Sequence, residues 1–217
     1  MKGLIIDCEI PYFATFRKPS STSLILTYPI PPFTTVRGMI ANALGLLQHD
    51  HSLQEQIKIG IRVTHPGYKN VEMAKILKIK ESPGGPIRNY PSSPMFREYL
   101  VNPQYQFFIG GREEIMLSIQ TALILPKRPL YLGQSDDLVI YEISKLLDIQ
   151  EKELDTFDTA VEGIHTGCIV EKVPFAFSES KGKYSLEYKL ISIPSRGQPI
   201  AARKVGHIFN NLNVYLF

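Results

Sequence analysis

Cysteine is scarce in this chain of 217 residues, which contains only Cys8 and Cys168. The two positions are far apart in sequence, and neither belongs to a C-x-x-C pair. This pattern excludes a disulfide framework and argues against a cysteine-based zinc site. We therefore expect two reduced thiols that are mostly buried.

Long apolar runs are also missing, since no stretch reaches the roughly 18 consecutive apolar residues of a membrane-spanning helix. Met1, Lys2 and Gly3 lead directly into a strand-like segment, which is not how a cleavable signal peptide begins. We therefore expect a cytoplasmic protein without a membrane partner. With 44% hydrophobic residues and no repeat or low-complexity tract, the chain is expected to bury a sizeable core.

Signatures of the common enzyme classes are absent as well. The sequence has no Walker loop, no H-E-x-x-H and no G-x-S-x-G motif, and we expect no cofactor. The segment 49–51 (HDH) offers three potential metal ligands, but it has no cysteine or further histidine pair beside it. It is more simply interpreted as the solvated end of a helix, and we predict no metal site.

Two groups place a histidine near other titratable side chains: His65 with Tyr68 and Lys69, and His207 with Arg203 and Lys204. Such groups could supply the general base and acid that cleave RNA without a metal. Neither spacing requires this role. His65 precedes a proline and is more simply the last residue of a strand, so catalysis is the less favoured interpretation.

The net charge of +3 is small, but the charges are unevenly distributed. Residues 136–162 contain nine acidic residues against Lys145 and Lys152, a net charge of −7, which leaves +10 for the rest of the chain. A basic body with one acidic segment is typical of a protein that binds a polyanion on one side and a protein on another. A solvated acidic loop among ordinary surface lysines would give the same pattern.

The most informative segment is 16–46, FRKPSSTSLILTYPIPPFTTVRGMIANALGL. Its prolines restrict the backbone before a helix that we predict to begin after a Thr34 or Thr35 cap. A helix start offers free N–H groups, and Arg17, Lys18 and Arg37 add positive charge nearby. The segment therefore predicts a site for a phosphate backbone.

Three aromatic residues near this segment, Tyr12, Phe13 and Phe16, could stack on nucleobases from one face of a sheet. Two observations weigh against the RNA-binding interpretation. The aromatic residues could equally belong to the core while the cations face solvent, and the consensus octamer of RNA-recognition modules is absent.

Two glycine-containing segments could bring backbone close to a ligand. Gly110, Gly111 and Arg112 precede a predicted helix and could form an anion-binding nest, and the segment 132–135 (LGQS) places Gly133 at a second position of this kind. Ordinary turn glycines are the commoner explanation for both.

The order of the predicted elements indicates an α+β fold. We predict, in chain order, a strand over 3–14, a helix at about 35–47, a strand over 57–63, adjacent strands at 96–101 and 104–109, and a helix from Glu113 to just before Pro126. This is the opening of a ferredoxin-like βαββαβ domain. The segment 137–147 fits a helix or a strand equally well.

Residues 66–95 interrupt this order. A strand at 71–80 and a loop at 82–94, which is rich in proline and glycine around Arg88, are predicted to form a thumb-like insertion. Later, 168–177 and 184–193 enclose a turn and predict a hairpin. We therefore expect a ferredoxin-like domain over 1–135 with its thumb and a β-rich extension over 136–217.

Several motifs, taken in their order along the chain, resemble a known family. They are FRKP, TYPIPPFTTVRGMIANALG, REYLVNP, LPKRPLYLGQSDDL and GCIVEKVPFAF. The chain is similar to the fifth Cas family of RAMP proteins, the CRISPR-associated subunits of type I Cascade complexes. The resemblance covers most of the chain, and it is densest at 16–46 and 121–138.

The resemblance implies a subunit that caps the 5′ handle of the CRISPR RNA and contacts the first backbone subunit and the large subunit, with target DNA an indirect partner. It implies an RNA site at Arg17, Lys18, Tyr28, Arg37 and Gly133. To these we add Thr35 at the predicted helix start, Arg88 in the thumb, and Arg112 in the segment with Gly110 and Gly111.

One branch of that family, in type I-C systems, cuts precursor CRISPR RNA with a tyrosine, a lysine and a histidine. In this chain Lys127 and Arg128 follow the second helix without a neighbouring histidine. The sequence therefore resembles the non-catalytic I-A or I-B branch, and a metal-independent endoribonuclease is the alternative.

Overall fold

The computed structural model of the chain describes residues 1–20, 24–77, 92–180, 182–195 and 198–217. The protein is an α+β structure that is rich in strands and has few helices. None of the helices in these ranges is long and apolar enough to cross a membrane.

The helices are α1 (Phe33–Leu44), α2 (Leu53–Gln56) and α3 (Glu113–Ile124). The first strands are β1 (Lys2–Glu9), β2 (Phe13–Ala14), β3 (Leu24–Ile25), β4 (Ile57–His65), β5 (Tyr68–Leu77), β6 (Ser92–Val101), β7 (Gln104–Gly111), β8 (Ile140–Ile143) and β9 (Leu147–Asp148). The later strands are β10 (Gln150–Phe157), β11 (Val161–Glu162), β12 (Ile169–Ser180), β13 (Lys183–Ile193), β14 (Ile200–Phe209) and β15 (Leu212–Val214).

The central sheet is antiparallel, with the strand order β4-β7-β1-β8 and with β9 also paired to β1. Because side chains alternate across a strand, β1 is divided between two cores. Leu4 and Ile6 belong to the core that includes α1 and α3, whereas Ile5 belongs to a second core with Phe108 and Phe209. Both faces of this sheet are therefore covered over part of their area.

Three glycines make room for the second core. A Cβ atom at Gly3 would lie 2.5 Å from the ring of Phe209, and one at Gly60 would lie 2.7 Å from Val214. A Cβ atom at Gly110 would lie 2.8 Å from Leu216. The sheet face therefore has a shallow depression in which the C-terminal residues pack against backbone.

A second sheet is built around β6. This strand pairs with β5 along its length on one side, and with β2 and β3 on the other. The β5–β6 hairpin falls within the range predicted for a thumb, and the predicted loop residues up to 91 lie outside the described part of the chain.

The C-terminal residues form two further sheets, with orders β10-β14-β15 and β11-β13-β12. The predicted hairpin is confirmed as β12 and β13. Its outer edge lies against the first helices, where the Gln54 amide both donates to the Phe177 carbonyl at 2.8 Å and accepts from the Phe177 N–H at 3.0 Å. The hairpin is thereby attached to the N-terminal half of the molecule.

Other predictions need correction. Neither Thr34 nor Thr35 caps α1, because Pro32 is the cap residue and its carbonyl accepts the N–H groups of Thr35 and Val36. The strands at 96–101 and 104–109 follow each other but do not pair. At Asn102, where φ is 52°, the chain passes from one sheet to the other. The ambiguous segment 137–147 contains strand β8.

Candidate functional site

Arg17 and Lys18 lie side by side, yet their charges are used differently. Arg17 forms an isolated bridge with Thr27, and its side chain is exposed without an ion pair to any described residue. Lys18 Nζ lies 2.5 Å from Glu171 Oε1 of β12 and 5.1 Å from the ring centre of Tyr28. Only Arg17 of this pair therefore presents an uncompensated charge to solvent.

Tyr28 is buried beneath Lys18, with 3% of its surface exposed. Burial raises the pKa of its hydroxyl to about 12, and the nearby Tyr188 and Glu171 act in the same direction. The residue is therefore a neutral packing partner at physiological pH, not a surface contact.

Arg37 is also buried, with 7% of its surface exposed. Its Nη1 donates to the carbonyl of Phe175 in β12, and its guanidinium lies 4.9 Å from the Phe175 ring centre. Burial lowers the pKa of Arg37 to about 10, so the group stays charged at neutral pH. This cation attaches the C-terminal hairpin to α1.

The exposed side of α1 borders two adjoining cavities, which we call the α1 groove. One, of about 190 Å³, is lined by Thr35, Gly38, Met39, Asn42, Tyr131 and Gly133. The other, of about 320 Å³, shares Gly38, Asn42 and Tyr131 with it and continues past Arg37 and Arg128 to His51. The groove thus brings Thr35 and Gly133, which are distant in sequence, to one surface.

Gly133 adopts a φ of 116°, and a Cβ atom there would lie 2.6 Å from Asp137 Oδ2. That carboxylate accepts the N–H of Thr15 at 3.1 Å and the N–H of Gln134 at 3.0 Å. Asp137 therefore joins the loop of Gly133 to the chain that leads into Arg17. Burial raises the pKa of Asp137 above its ordinary value of 3.8.

The sequence reasoning missed Asp137 as a site residue. Its signal was the pair of acidic residues directly after the LGQS segment. That pair belongs to the acidic segment 136–162, for which the charge pattern indicates either a protein-binding side or a solvated loop, whereas Asp137 is 1% exposed.

Arg112 is not brought to this surface. It precedes α3 and follows Gly111, which pairs with Lys2 at the start of β1, whereas Arg17 lies beyond the other end of β1. The eight residues of β1 span roughly 23 Å at about 3.3 Å per residue. Arg88 lies outside the described residues.

The three aromatic residues predicted to stack on bases have different environments. Phe16 is 2% exposed and packs against Tyr105, so its predicted role in stacking is wrong. Tyr12 is 73% and Phe13 is 37% exposed, and the Phe13 ring meets Tyr99 edge to face. Phe16 is buried because its segment is covered on both sides, and the neighbouring Ala14 and Thr15 are buried as well.

The histidines considered for catalysis have structural contacts. His65 Nδ1 lies 3.0 Å from the Asn102 carbonyl and 3.2 Å from the N–H of Gly67, as a strand-end residue would. His207 is 4% exposed, and burial lowers its pKa. His51 stacks on Phe177, and no group of three metal-ligating side chains converges anywhere in the described ranges.

Two solved structures share this fold. One, described as "CRISPR RNA-guided surveillance complex", has a TM-score of 0.63 and 16% identity, and the match covers 93% of this chain and 91% of that chain. The other, a CRISPR protein from Archaeoglobus fulgidus, has a TM-score of 0.60 and 15% identity over 99% and 98% of the two chains. At these identities the similarity concerns the fold.

No curated protein matches the chain. A family model does match it, and the matched region extends over residues 3–207, from the first strand to the penultimate one. The model is described as "CRISPR-associated protein (Cas_Cas5)". The chain belongs to this family of CRISPR-associated proteins.

Proposed function

We propose that this chain is a non-catalytic, RNA-binding subunit of a type I CRISPR effector complex, and that it caps the 5′ handle of the CRISPR RNA. In this role it would contact the first backbone subunit and the large subunit, and it would meet target DNA only indirectly. Family membership and the fold shared with a protein from a surveillance complex support this proposal.

The observation that carries the proposal is the α1 groove. Thr35 and the backbone of Gly133 line the same cavity, and Asp137 ties the Gly133 loop to the segment of Arg17. Arg128 also lines the groove, and Arg17 lies two residues beyond Thr15, so polar groups, backbone and cations lie close enough together to suit a bent phosphate chain. Lys18, Tyr28 and Arg37 would support this surface from beneath.

The domain description belongs to the same proposal. The central sheet has the order β4-β7-β1-β8, and along the chain α1 comes between β1 and β4, and α3 between β7 and β8. This arrangement supports a ferredoxin-like βαββαβ domain over 1–135 with a thumb insertion at 66–95 and a β-rich extension over 136–217.

The absence of catalysis is supported by the two histidines. His65 contacts backbone at a strand end, His207 is buried, and neither lines the α1 groove. His51, which does line the groove, stacks on Phe177. Repeat RNA incubated with the protein and a chelator should remain uncut. A single specific cut that is lost in His65→Ala or His207→Ala would favour the endoribonuclease instead.

The binding test uses handle RNA with the purified chain and with the assembled complex. Affinity should fall steeply with salt, and Arg17→Ala should lower it and reduce the slope of log affinity against log salt by about one. Arg203→Ala is the control, since Arg203 is a 77% exposed cation in the extension whose charge is already paired with Glu153 at 3.2 Å. Absent or salt-independent binding would refute the proposal.

Arg112→Ala distinguishes an RNA site that is confined to the α1 groove from one that extends to the start of α3. If the RNA stays within the α1 groove, this variant should bind like the wild type. An effect equal to that of Arg17→Ala would mean that the RNA extends along the molecule to the start of α3.

A further inference from the structure

Strand β5 is unusually exposed for a ten-residue strand. Eight of its residues are exposed and only Ala74 and Ile76 are partly covered. Val71, Met73 and Leu77 are 59%, 67% and 61% exposed. The other side of β6 is paired only by the two-residue strands β2 and β3, so much of this sheet is two strands wide in the described ranges and β5 gains from a further partner.

One edge of β5 has no pairing within the described ranges. Its only strand partner there is β6, and no other backbone hydrogen bond involves residues 68–77. Alternate N–H and C=O groups along this edge therefore have no backbone partner among the residues that the structure describes. Proteins usually protect such an edge by making it short, by placing a proline in it or by charged side chains. Strand β5 is long and has no proline, and its only protection of this kind is the charge of Lys69, Glu72 and Lys75.

One face of the hairpin is largely apolar. Val71, Met73 and Leu77 alternate along β5 and therefore point to the same side. Phe96 of β6 lies directly opposite Met73 and is 55% exposed. Lys75 lies between Met73 and Leu77 and makes no ion pair with a described residue.

We propose that the outer edge of β5 accepts a β-strand from another protein subunit. A peptide backbone supplies alternating donors and acceptors at the spacing of this edge, which a phosphate backbone does not. The incoming strand would place apolar side chains beside Val71 and Met73. It would place a carboxylate beside Lys75.

The proposal relies on the proposed function only for the choice of probe. The probe is the set of other protein subunits of the complex, purified without RNA. Hydrogen exchange of the chain is measured alone and with the probe. Strand addition predicts strong protection at alternate β5 amides, the ones that do not bond to β6, and little change at the rest.

Variants test the apolar face. Met73→Asp should weaken binding of the probe by at least ~10-fold, because it places a charge in the predicted contact. Asn70→Asp is the matched control, since Asn70 is also exposed on β5 but points to the opposite face, where it faces Tyr99. It should bind like the wild type. Both variants should keep the handle-RNA affinity of the unaltered chain.

Four results would overturn the proposal: uniform or absent protection of β5 by the probe, equal loss in both variants, protection by RNA alone, or a self-associated wild-type chain that Met73→Asp makes monomeric. The last would make a second copy of this chain the occupant. If handle RNA fails to bind while the alternating protection is present, the proposed function fails and the strand site remains.

Discussion

The junction between α1 and β12 and the β5–β6 hairpin use the same residue types in opposite ways. At the junction, Arg37 and Lys18 reach across to Phe175 and Glu171, and Phe33 is completely buried. In the hairpin, Phe96 and Met73 lie open to solvent. At the junction, the charged and aromatic side chains contact other residues of the same chain. In the hairpin, the exposed apolar side chains are open to contact with another molecule.

The largest contrast is expected between two phenylalanines. Phe33 is 0% exposed and its ring lies 4.5 Å from that of Phe217, so Phe33→Ala should cost ~3–5 kcal/mol of unfolding free energy. Phe96→Ala should change it by less than ~0.5 kcal/mol. Chemical denaturation of both variants measures the difference, and similar losses would contradict the comparison.

Two arginines provide the next contrast. Arg37→Met keeps the apolar stem but leaves the Phe175 carbonyl without its donor, which should cost ~1–3 kcal/mol. Arg17→Met removes an exposed charge and should leave stability within ~0.5 kcal/mol of the wild type. The same denaturation experiment applies. A stability loss in Arg17→Met would mean that this cation has a structural contact after all.

Asp137 tests how the groove is held. Asp137→Ala leaves the N–H groups of Thr15 and Gln134 without an acceptor and should cost ~1–3 kcal/mol, whereas Asp137→Asn retains an acceptor oxygen and should cost less. Both should be compared for handle-RNA affinity as well. If Asp137→Asn folds but binds like Asp137→Ala, the negative charge itself matters.

The pKa of Asp137 adds a pH dependence. Because burial raises this pKa above 3.8, the folded state holds the proton more tightly than the unfolded chain. The contribution of Asp137 to stability is therefore greatest below pH 3.8 and declines as pH rises through the raised pKa. Stability measured against pH in Asp137→Asn should lack this decline, and an unchanged profile would contradict the assignment.

The smallest contrast concerns two lysine ion pairs. Lys18 and Glu171 at the junction are 23% and 20% exposed, whereas Lys69 at the base of the hairpin is 55% exposed beside Glu98. Lys18→Met should cost ~1 kcal/mol and Lys69→Met ~0–0.5 kcal/mol. Added salt should reduce the cost of Lys69→Met more. The reverse order would remove the distinction between the two regions.

Local patterns in the sequence were enough to predict several elements. The alternation in β4, the apolar stripe of α3 and the turn between β12 and β13 each depend on neighbouring residues. The cap of α1 was predicted wrongly because threonine is a common cap residue, whereas here Pro32 starts the helix.

The site was harder to predict because its contacts join distant residues. Arg37 meets a carbonyl 138 positions later, and Asp137 meets an N–H 122 positions earlier. The sequence placed Arg37 in the first turn of a helix, but it contained no signal that β12 would cover that turn. The sequence therefore predicts that these positions are charged, but it does not predict whether each charge is free to bind a ligand or is used in a contact within the chain.

The depression formed by Gly3, Gly60 and Gly110 has a consequence for mutational screens. A side chain at any of them would push away Phe209, Val214 or Leu216, which pack there. Random substitutions at these positions should abolish RNA binding as completely as changes at a residue that contacts the RNA. A map of sensitive positions will therefore highlight three sites that touch no RNA, and solubility or protease resistance should be scored alongside activity to separate them.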